Sequence, residues 1–419
     1  MYLGCQMYSA FDKSAIQSAK IFCHEAEALW EKEQTHDSYM TMASAVVLSL
    51  CLIGHGKDHA VHSYAKKALS MGTRLGLFES EEEPVDKKPL EKMSQDDLTA
   101  RCHAAWGVFN WNVLISMFYR QPGSECPVSS PTLPIPGDEA AKTAPGELPE
   151  DGHSVHEALP GNTFPALCHF WRIINGARWI YYQDEACPPD RLKMAIAEHK
   201  FRELIAWAEG LSRRLTYLLI GDSIWLHCIM LDIFRRFMKR SSDDRFRMAT
   251  FSAWDSSPDA AFAASVNQLK TLIVEYRTNY MASAYSILWH SGLMYLANAM
   301  LRDTSDPEWR LYFLLCIYGY ESLSRPYRIS EVIAQGLLSM TLRDTNMSAS
   351  EARKIMEDLH ECGLDHVKKN MEEEVRATFA LDLTLALSDP AGATVENMAK
   401  EFDSFATFQD FLDQNKMEM

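Results

Sequence analysis

Three histidines lie close together in the sequence at a spacing that could place them along one face of a helix. His55, His59 and His62 are four and three residues apart, and imidazoles arranged in this way can bind a transition metal. Glycines on both sides of His55 favour a turn there, however. We therefore expect the solvated start of a helix at this position, and we predict no metal site.

An aspartate pair, Asp243-Asp244, raises a second possibility, because some all-α isoprenoid cyclases hold a diphosphate through magnesium ions and acidic residues. Such a site needs an extended acidic cluster and a second set of ligands on a facing helix. The sequence contains neither pattern. Flanking serines and an arginine at 241–245 predict a polar turn instead.

Motifs of nucleophilic and nucleotide-binding enzymes do not occur in the sequence. There is no Gly-x-Ser-x-Gly turn, no phosphate-binding loop with Lys-Ser or Lys-Thr, and no Gly-x-Gly-x-x-Gly after a strand. An acid–base pair assembled from distant helices would leave no such local pattern. For an enzyme of that kind the candidates are His103, Glu185 and His227, which lie in aromatic-rich segments.

Aromatic residues form two groups that could line an apolar cleft. Trp106, Phe109 and Val113 recur at helical spacing, which indicates core positions. Trp111 lies on another face of the same helix and could contact the C-terminal half of the chain. The second group contains Trp171 and Trp179. A pocket for a small-molecule effector is predicted between the two groups, with the candidate lining residues Trp106, Trp111, Trp171 and Trp179.

Composition restricts both the class of protein and its partners. The chain has 419 residues, 47% of them hydrophobic and 23% charged, so it can bury a large core. Its formal charge of −16 should repel a phosphate backbone, and we expect no direct binding to nucleic acid. Ten scattered cysteines, without a Cys-x-x-Cys pair, indicate no zinc module and suit a reducing compartment. No signal peptide or membrane span is predicted, and no cofactor.

Apolar residues recur every three or four positions almost throughout, which predicts an all-α protein, a compact array of antiparallel helices in two packed lobes. The lobes are predicted at 1–135 and 163–419, with a Pro/Gly-rich loop at 136–162. The predicted helices are 12–33, 37–53, 57–76, 95–118, 163–183, 190–209, 213–239, 259–276, 281–302, 308–324, 328–343, 349–362, 370–387 and 393–414. Ser348, three residues before Glu351, has the pattern of a capping box, and Gly363 suits a helix end.

Three stretches, in order along the chain, resemble the fungal-specific transcription factor regulatory domain, also called the middle homology region. They are 68–78 (ALSMGTRLGLF), 98–136 with Arg101, Trp106, Phe109, Pro122, Leu133, Pro134 and Pro136, and 320–340. The last is similar to regulators of the nitrate-assimilation type. The chain departs from the family at charged positions, where Asn112-Val113 replaces Asp-Arg and Arg120-Gln121 replaces Gly-Arg.

The resemblance implies a fungal transcription regulator that lacks the zinc binuclear cluster of its family. Such a chain would act in the nucleus, or alternatively the cytoplasm, by association with other transcription proteins or a homodimer partner. Sensing of a small-molecule effector is a further function that the resemblance leaves open. A second reading, in which the same helical scaffold serves as a metabolic enzyme with a central apolar pocket, stays open. So does a gene that continues upstream of Met1.

Overall fold

The computed structural model describes residues 1–79, 94–119, 126–138, 163–180, 189–211, 220–238, 248, 256–362, 375–402 and 404–405. These residues are mainly helical and contain two isolated β-bridges but no β-strand, which confirms the predicted all-α class. The α-helices are α1 (Tyr2–Tyr8), α2 (Ala15–Glu33), α3 (Tyr39–Ile53), α4 (Asp58–Arg74), α5 (Gln95–Phe118), α6 (Thr163–Asn175), α7 (Asp190–Gly210), α8 (Ile220–Arg235), α9 (Pro258–Asn279), α10 (His290–Arg302), α11 (Trp309–Ser324), α12 (Ile329–Asp344), α13 (Ala349–Cys362) and α14 (395–402).

Serine side chains cap the N-terminal ends of several of these helices. Ser38, Ser94 and Ser257 each accept a hydrogen bond from the backbone N–H three residues later, at 3.0, 3.2 and 3.1 Å. Ser348 does the same for the N–H of Glu351 at 3.2 Å. Because these N–H groups have no partner inside the helix, each serine fixes the first turn. The predicted cap at Ser348 is therefore confirmed, whereas Gly363 lies outside the described residues.

Two predicted helices are shorter than the sequence indicated. The one at 163–183 ends at Asn175 and continues as a 3-10 helix, Gly176–Ile180, because glycine is a poor helix former. The one at 281–302 starts with two 3-10 turns, and regular α-helix begins at His290. Here the side chain of Trp289 donates to the carbonyl of Ser283, and the side chain of Tyr327 donates to the carbonyl of Tyr285. These two carbonyls thus accept hydrogen bonds from side chains rather than from the backbone N–H groups of a regular helix. The helix Tyr2–Tyr8 was not predicted.

The prediction of a helix over 370–387 is wrong for its described part. Residues 375–384 contain no α-helix, and a 3-10 turn follows at Leu385–Leu387. Their backbone N–H groups bond instead to distant groups: Arg376 to the carbonyl of Gly56, Thr378 to a carboxylate oxygen of Asp58. Tertiary hydrogen bonds thus override a helical pattern of apolar residues.

The turn between α3 and α4 is where the N-terminal and C-terminal parts of the chain meet. Gly56 has a φ of +65°, and a side chain on it would collide with Val375. The carbonyl of Gly54 accepts a bond from the N–H of Ile329 at 3.1 Å, and the ring of Tyr327 covers the Gly54 Cα. Four residues, 54–57, therefore hold α12 and the segment 375–378 against the N-terminal helices.

One large core runs through most of the described helices, and a small second cluster, Tyr2, Ala19 and Cys51, lies between α1, α2 and α3. Neighbouring helices pack in chain order from α3 to α13, and one continuous cluster of buried side chains runs from Trp30 to Phe402. A division into lobes at 136–162 stays a prediction, since residues 139–162 are outside the described part. None of the described helices is long and apolar enough to cross a membrane.

Candidate functional site

The tryptophans predicted to line an effector pocket lie in separate packing environments. Trp106 is buried, contacts Phe109 edge-on, and donates from Nε1 to the carbonyls of Leu133 and Pro134 at 3.0 and 3.1 Å. It thereby attaches the proline-containing loop, residues 126–138, to α5. Trp106, Phe109 and Val113 are all core residues, as predicted.

Trp111 and Trp171 are also buried, but each joins different helices. Trp111 donates from Nε1 to the Ser49 hydroxyl at 2.9 Å, and Ser49 donates to the carbonyl of Val61, so Trp111 faces α3 and α4 rather than the C-terminal helices. Trp171 meets Trp225 of α8 at 5.3 Å between ring centroids. The side chain of Trp179 lies outside the described residues. Trp106 lines a groove.

That groove lies between the start of α5 and the proline-containing loop and has a volume of about 440 Å³. Leu98, Cys102 and Trp106 form one wall, and residues 133–138 form the other. Asp138 at its edge pairs with His169 at 2.9 Å, and Arg172 donates to the same imidazole. Two of its polar side chains, Asp138 and Arg172, are therefore engaged through His169.

The residues predicted as acid–base candidates do not form a common site in the described structure. His103 is exposed, bonds through Nδ1 to the carbonyl of Thr99 in its own helix, and stacks on Phe164. His227 lies in α8, where burial lowers its pKa to about 4. Glu185 is outside the described residues, as is the pair Asp243-Asp244.

The three N-terminal histidines have no metal-binding arrangement within the described part of the chain, where no group of three potential ligands occurs. His55 lies in the turn before α4, contacts the Gln6 side chain at 3.0 Å and stacks on Tyr2. His62 lies inside α4, and burial lowers its pKa.

One polar pair that the sequence analysis did not identify is Tyr119–His290. The Tyr119 hydroxyl and His290 Nε2 are 2.9 Å apart, and the ring of Phe379 packs on both residues. Both side chains are buried, and burial lowers the pKa of His290 to about 4 while raising that of Tyr119. Neither residue lines the groove beside Trp106. The pair connects the end of α5, α10 and the segment 375–383.

A second groove lies between α2 and α3, closed at one end by the start of α1. It has a volume of about 800 Å³ and is mainly apolar. The α2 wall consists of Phe22, Glu25, Ala26, Leu29, Trp30 and Glu33; the α3 wall consists of Met40, Thr41, Ala43, Ser44, Val47, Leu48 and Cys51; Met1, Tyr2 and Leu3 close the end. We call this opening the α2–α3 groove.

Several apolar side chains of the α2–α3 groove are open to solvent. Leu29, Met40 and Val47 are 57%, 65% and 48% exposed. The backbones of α2 and α3 stand apart; α2 instead packs on α1 and reaches α4 through Trp30, which contacts Tyr64 edge-on. A contiguous exposed apolar surface of this kind is typical of a binding site.

The floor of the α2–α3 groove is uncharged near neutral pH. Burial raises the pKa of the Tyr2 hydroxyl above its usual value and that of the Cys51 thiol to about 12, so both keep their protons. The acidic side chains on its walls are Glu25 and Glu33, both exposed; His36, between α2 and α3, and the amino terminus at Met1 also line it, and no lysine or arginine does. The groove is therefore an apolar surface with two carboxylates on its α2 wall.

The sequence did contain a signal for this groove. Helix α3, with the sequence YMTMASAVVLSLCLI, is apolar or small on nearly every face, a pattern expected of a helix with partners all round. In the structure no described helix packs on the face of α3 that carries Met40 and Val47.

Comparison with protein-family models found no match, and neither a curated protein nor a solved structure proved similar to the chain.

Proposed function

We propose that this chain is a regulatory domain that acts by binding another protein, and that it belongs to a fungal transcription regulator without its own DNA-contacting module. The observation that carries the binding function is the α2–α3 groove, with its three strongly exposed apolar side chains. The sequence resemblance to the regulatory domain of fungal transcription factors supports the transcriptional role and a place in the nucleus.

The described polar groups favour binding over catalysis. His103 is held by its own helix, and the Tyr119–His290 pair is enclosed by aromatic rings. A general acid or base has to reach a bound substrate, and neither group borders the two described grooves. The α2–α3 groove offers apolar surface, which is what protein association uses.

A reporter experiment tests this function. The full chain is fused to a foreign DNA-binding module in a fungal host, and expression of a reporter with the matching site is measured. We expect expression to change several-fold with the parent chain. The double variant Leu29→Asp/Met40→Asp should abolish the change, because it places charges on an apolar contact surface.

Leu311→Asp/Met281→Asp is the matched control, since Leu311 and Met281 are 64% and 72% exposed and lie outside the groove. It should behave like the parent. An unchanged reporter with the parent chain, or an equal response from the groove variant, would contradict the proposal. Conversion of a metabolic precursor by the pure chain would instead support the alternative hypothesis that the chain is a metabolic enzyme.

A further inference from the structure

We infer that the α2–α3 groove binds an amphipathic helix of a partner protein, and that this helix carries two basic residues about two turns apart beside its apolar face. This inference rests on the proposed function and specifies the partner. It follows from the shape of the groove and from the position of its charges.

The walls have the length and periodicity of a site for a helix. On α2 the lining residues Phe22, Ala26, Leu29 and Glu33 follow one helical face. From Met40 to Cys51 the α3 wall covers eleven residue steps, or about 16 Å at 1.5 Å per residue. A helix of about three turns laid between the two walls would cover both faces. Apolar residues at i, i+3, i+4 and i+7 are the usual way in which such a helix fills a groove.

Small side chains leave room for this third helix. Ala26 on α2 and Ala43 and Ser44 on α3 line the groove where the two backbones stand apart. Small residues at a contact allow the axes of two helices to approach closely. The large side chains Leu29, Met40 and Val47 border this space and supply apolar contact area.

Charge decides which partner fits. Glu25 and Glu33 both line the groove from α2, eight residues or about 12 Å apart along the helix axis. Lysine or arginine residues at i and i+7 or i+8 of the bound helix would reach both carboxylates. A second copy of this chain is disfavoured, because it would bring its own Glu25 and Glu33 and a formal charge of −16 to the contact.

The test uses the purified full chain and synthetic helical peptides labelled with fluorescein. The first peptide has about 18 residues, leucines along one face and two lysines beside that face, two turns apart. In the second peptide both lysines are replaced by glutamates, and in the third the leucines are replaced by serines. Kd is measured from fluorescence anisotropy at low and at physiological salt.

We expect the lysine peptide to bind about tenfold more tightly than the glutamate peptide at low salt, with a smaller difference at physiological salt. The serine peptide should not bind. In the double variant Glu25→Lys/Glu33→Lys the preference should invert in favour of the glutamate peptide. Glu31→Lys/Glu275→Lys is the matched control, because it changes the net charge equally at positions outside the groove, and it should keep the original preference.

Two results would overturn the inference. Equal affinity for the lysine and glutamate peptides, or no binding of either, would exclude a basic helix as occupant. A concentration-dependent dimer of the parent chain that Leu29→Asp dissociates in sedimentation velocity would assign the groove to a second copy. If the reporter still requires Leu29 and Met40 in these cases, the proposed function stands and only the partner is wrong.

Discussion

At the scale of single residues, the buried histidines connect stability to pH. His290 and His227 both have a pKa lowered to about 4 by burial, so they stay neutral in the folded chain at pH 5 to 7. In the unfolded chain an ordinary histidine has a pKa near 6.5. The unfolded state therefore binds more protons as the pH falls below about 6.5, and the folded state loses stability.

We expect the free energy of unfolding to decrease by about 2 kcal/mol per pH unit between about pH 6 and 5 from these two groups together. Urea denaturation at a series of pH values measures this slope. His290→Gln removes one titrating group while keeping a polar atom near Tyr119, so its slope should be smaller by about 1 kcal/mol per pH unit. The same slope in parent and variant would show that His290 is protonated in the folded chain.

Trp106 offers a second prediction at this scale. Trp106→Ala removes a large buried ring and two hydrogen bonds to the loop at Leu133 and Pro134. We expect a loss of about 3–5 kcal/mol, measured by urea denaturation. Trp106→Phe keeps most of the apolar contact but no N–H donor, and it should lose less. A Trp106→Ala variant with the stability of the parent would contradict the core position.

At the scale of elements, Asn298 of α10 holds the non-helical segment after residue 375. Its Nδ2 donates to the carbonyl of Leu381 and its Oδ1 accepts from the N–H of Leu383, both at 2.9 Å. Asp382 in the same segment accepts bonds from Thr384 and Leu385 and pairs with Arg343. Buried backbone groups of the segment thus depend on a few side chains.

Asn298→Ala should leave the N–H of Leu383 and the carbonyl of Leu381 without partners, which destabilises the fold by about 1–3 kcal/mol. We expect faster hydrogen exchange in 380–387 than in the parent, measured by mass spectrometry. Asn397→Ala is the control, since that exposed side chain bonds only to the carbonyl of Ala391 among the described residues. Equal exchange in parent and Asn298→Ala would show that other contacts hold the segment.

These elements also show which parts of the fold could be predicted from the sequence. The helices 95–118 and 349–362 were predicted with the bounds that the structure has, because a serine cap and a regular apolar face act within the helix itself. The segment 375–384 was mispredicted because its donors bond to Gly56 and Asp58, more than three hundred positions away. For the groove, the apolar sequence of α3 is a local signal, but the separation of α2 and α3 that opens the groove is a tertiary feature that no local pattern specifies.

At the scale of the whole molecule, net charge sets an expectation for nucleic acid. With a formal charge of −16, the purified chain should show no sequence-selective DNA binding at physiological salt. Electrophoretic mobility shift with a random-sequence duplex pool measures this. Selective binding below about 1 μM would require a basic surface that the composition does not provide, and would contradict the prediction.

The shared core leads to a prediction about the two lobes. Residues 1–135 and 163–419, produced separately, should each lose buried contacts across the common cluster, and the first would leave Asp58 without the N–H of Thr378. We expect neither piece to unfold cooperatively in urea, whereas the intact chain does. Two independently cooperative pieces would restore the predicted division into lobes.

The closure of the turn at 54–57 by residues 375–378 also has a consequence for how the chain acquires its fold. The bond from Thr378 to Asp58 spans 320 positions, so its formation carries a loop-closure entropy cost that is smaller once the intervening helices have brought its ends together. On the ribosome the first helices would therefore emerge long before their last partner and stay exposed to chaperones until synthesis is almost complete.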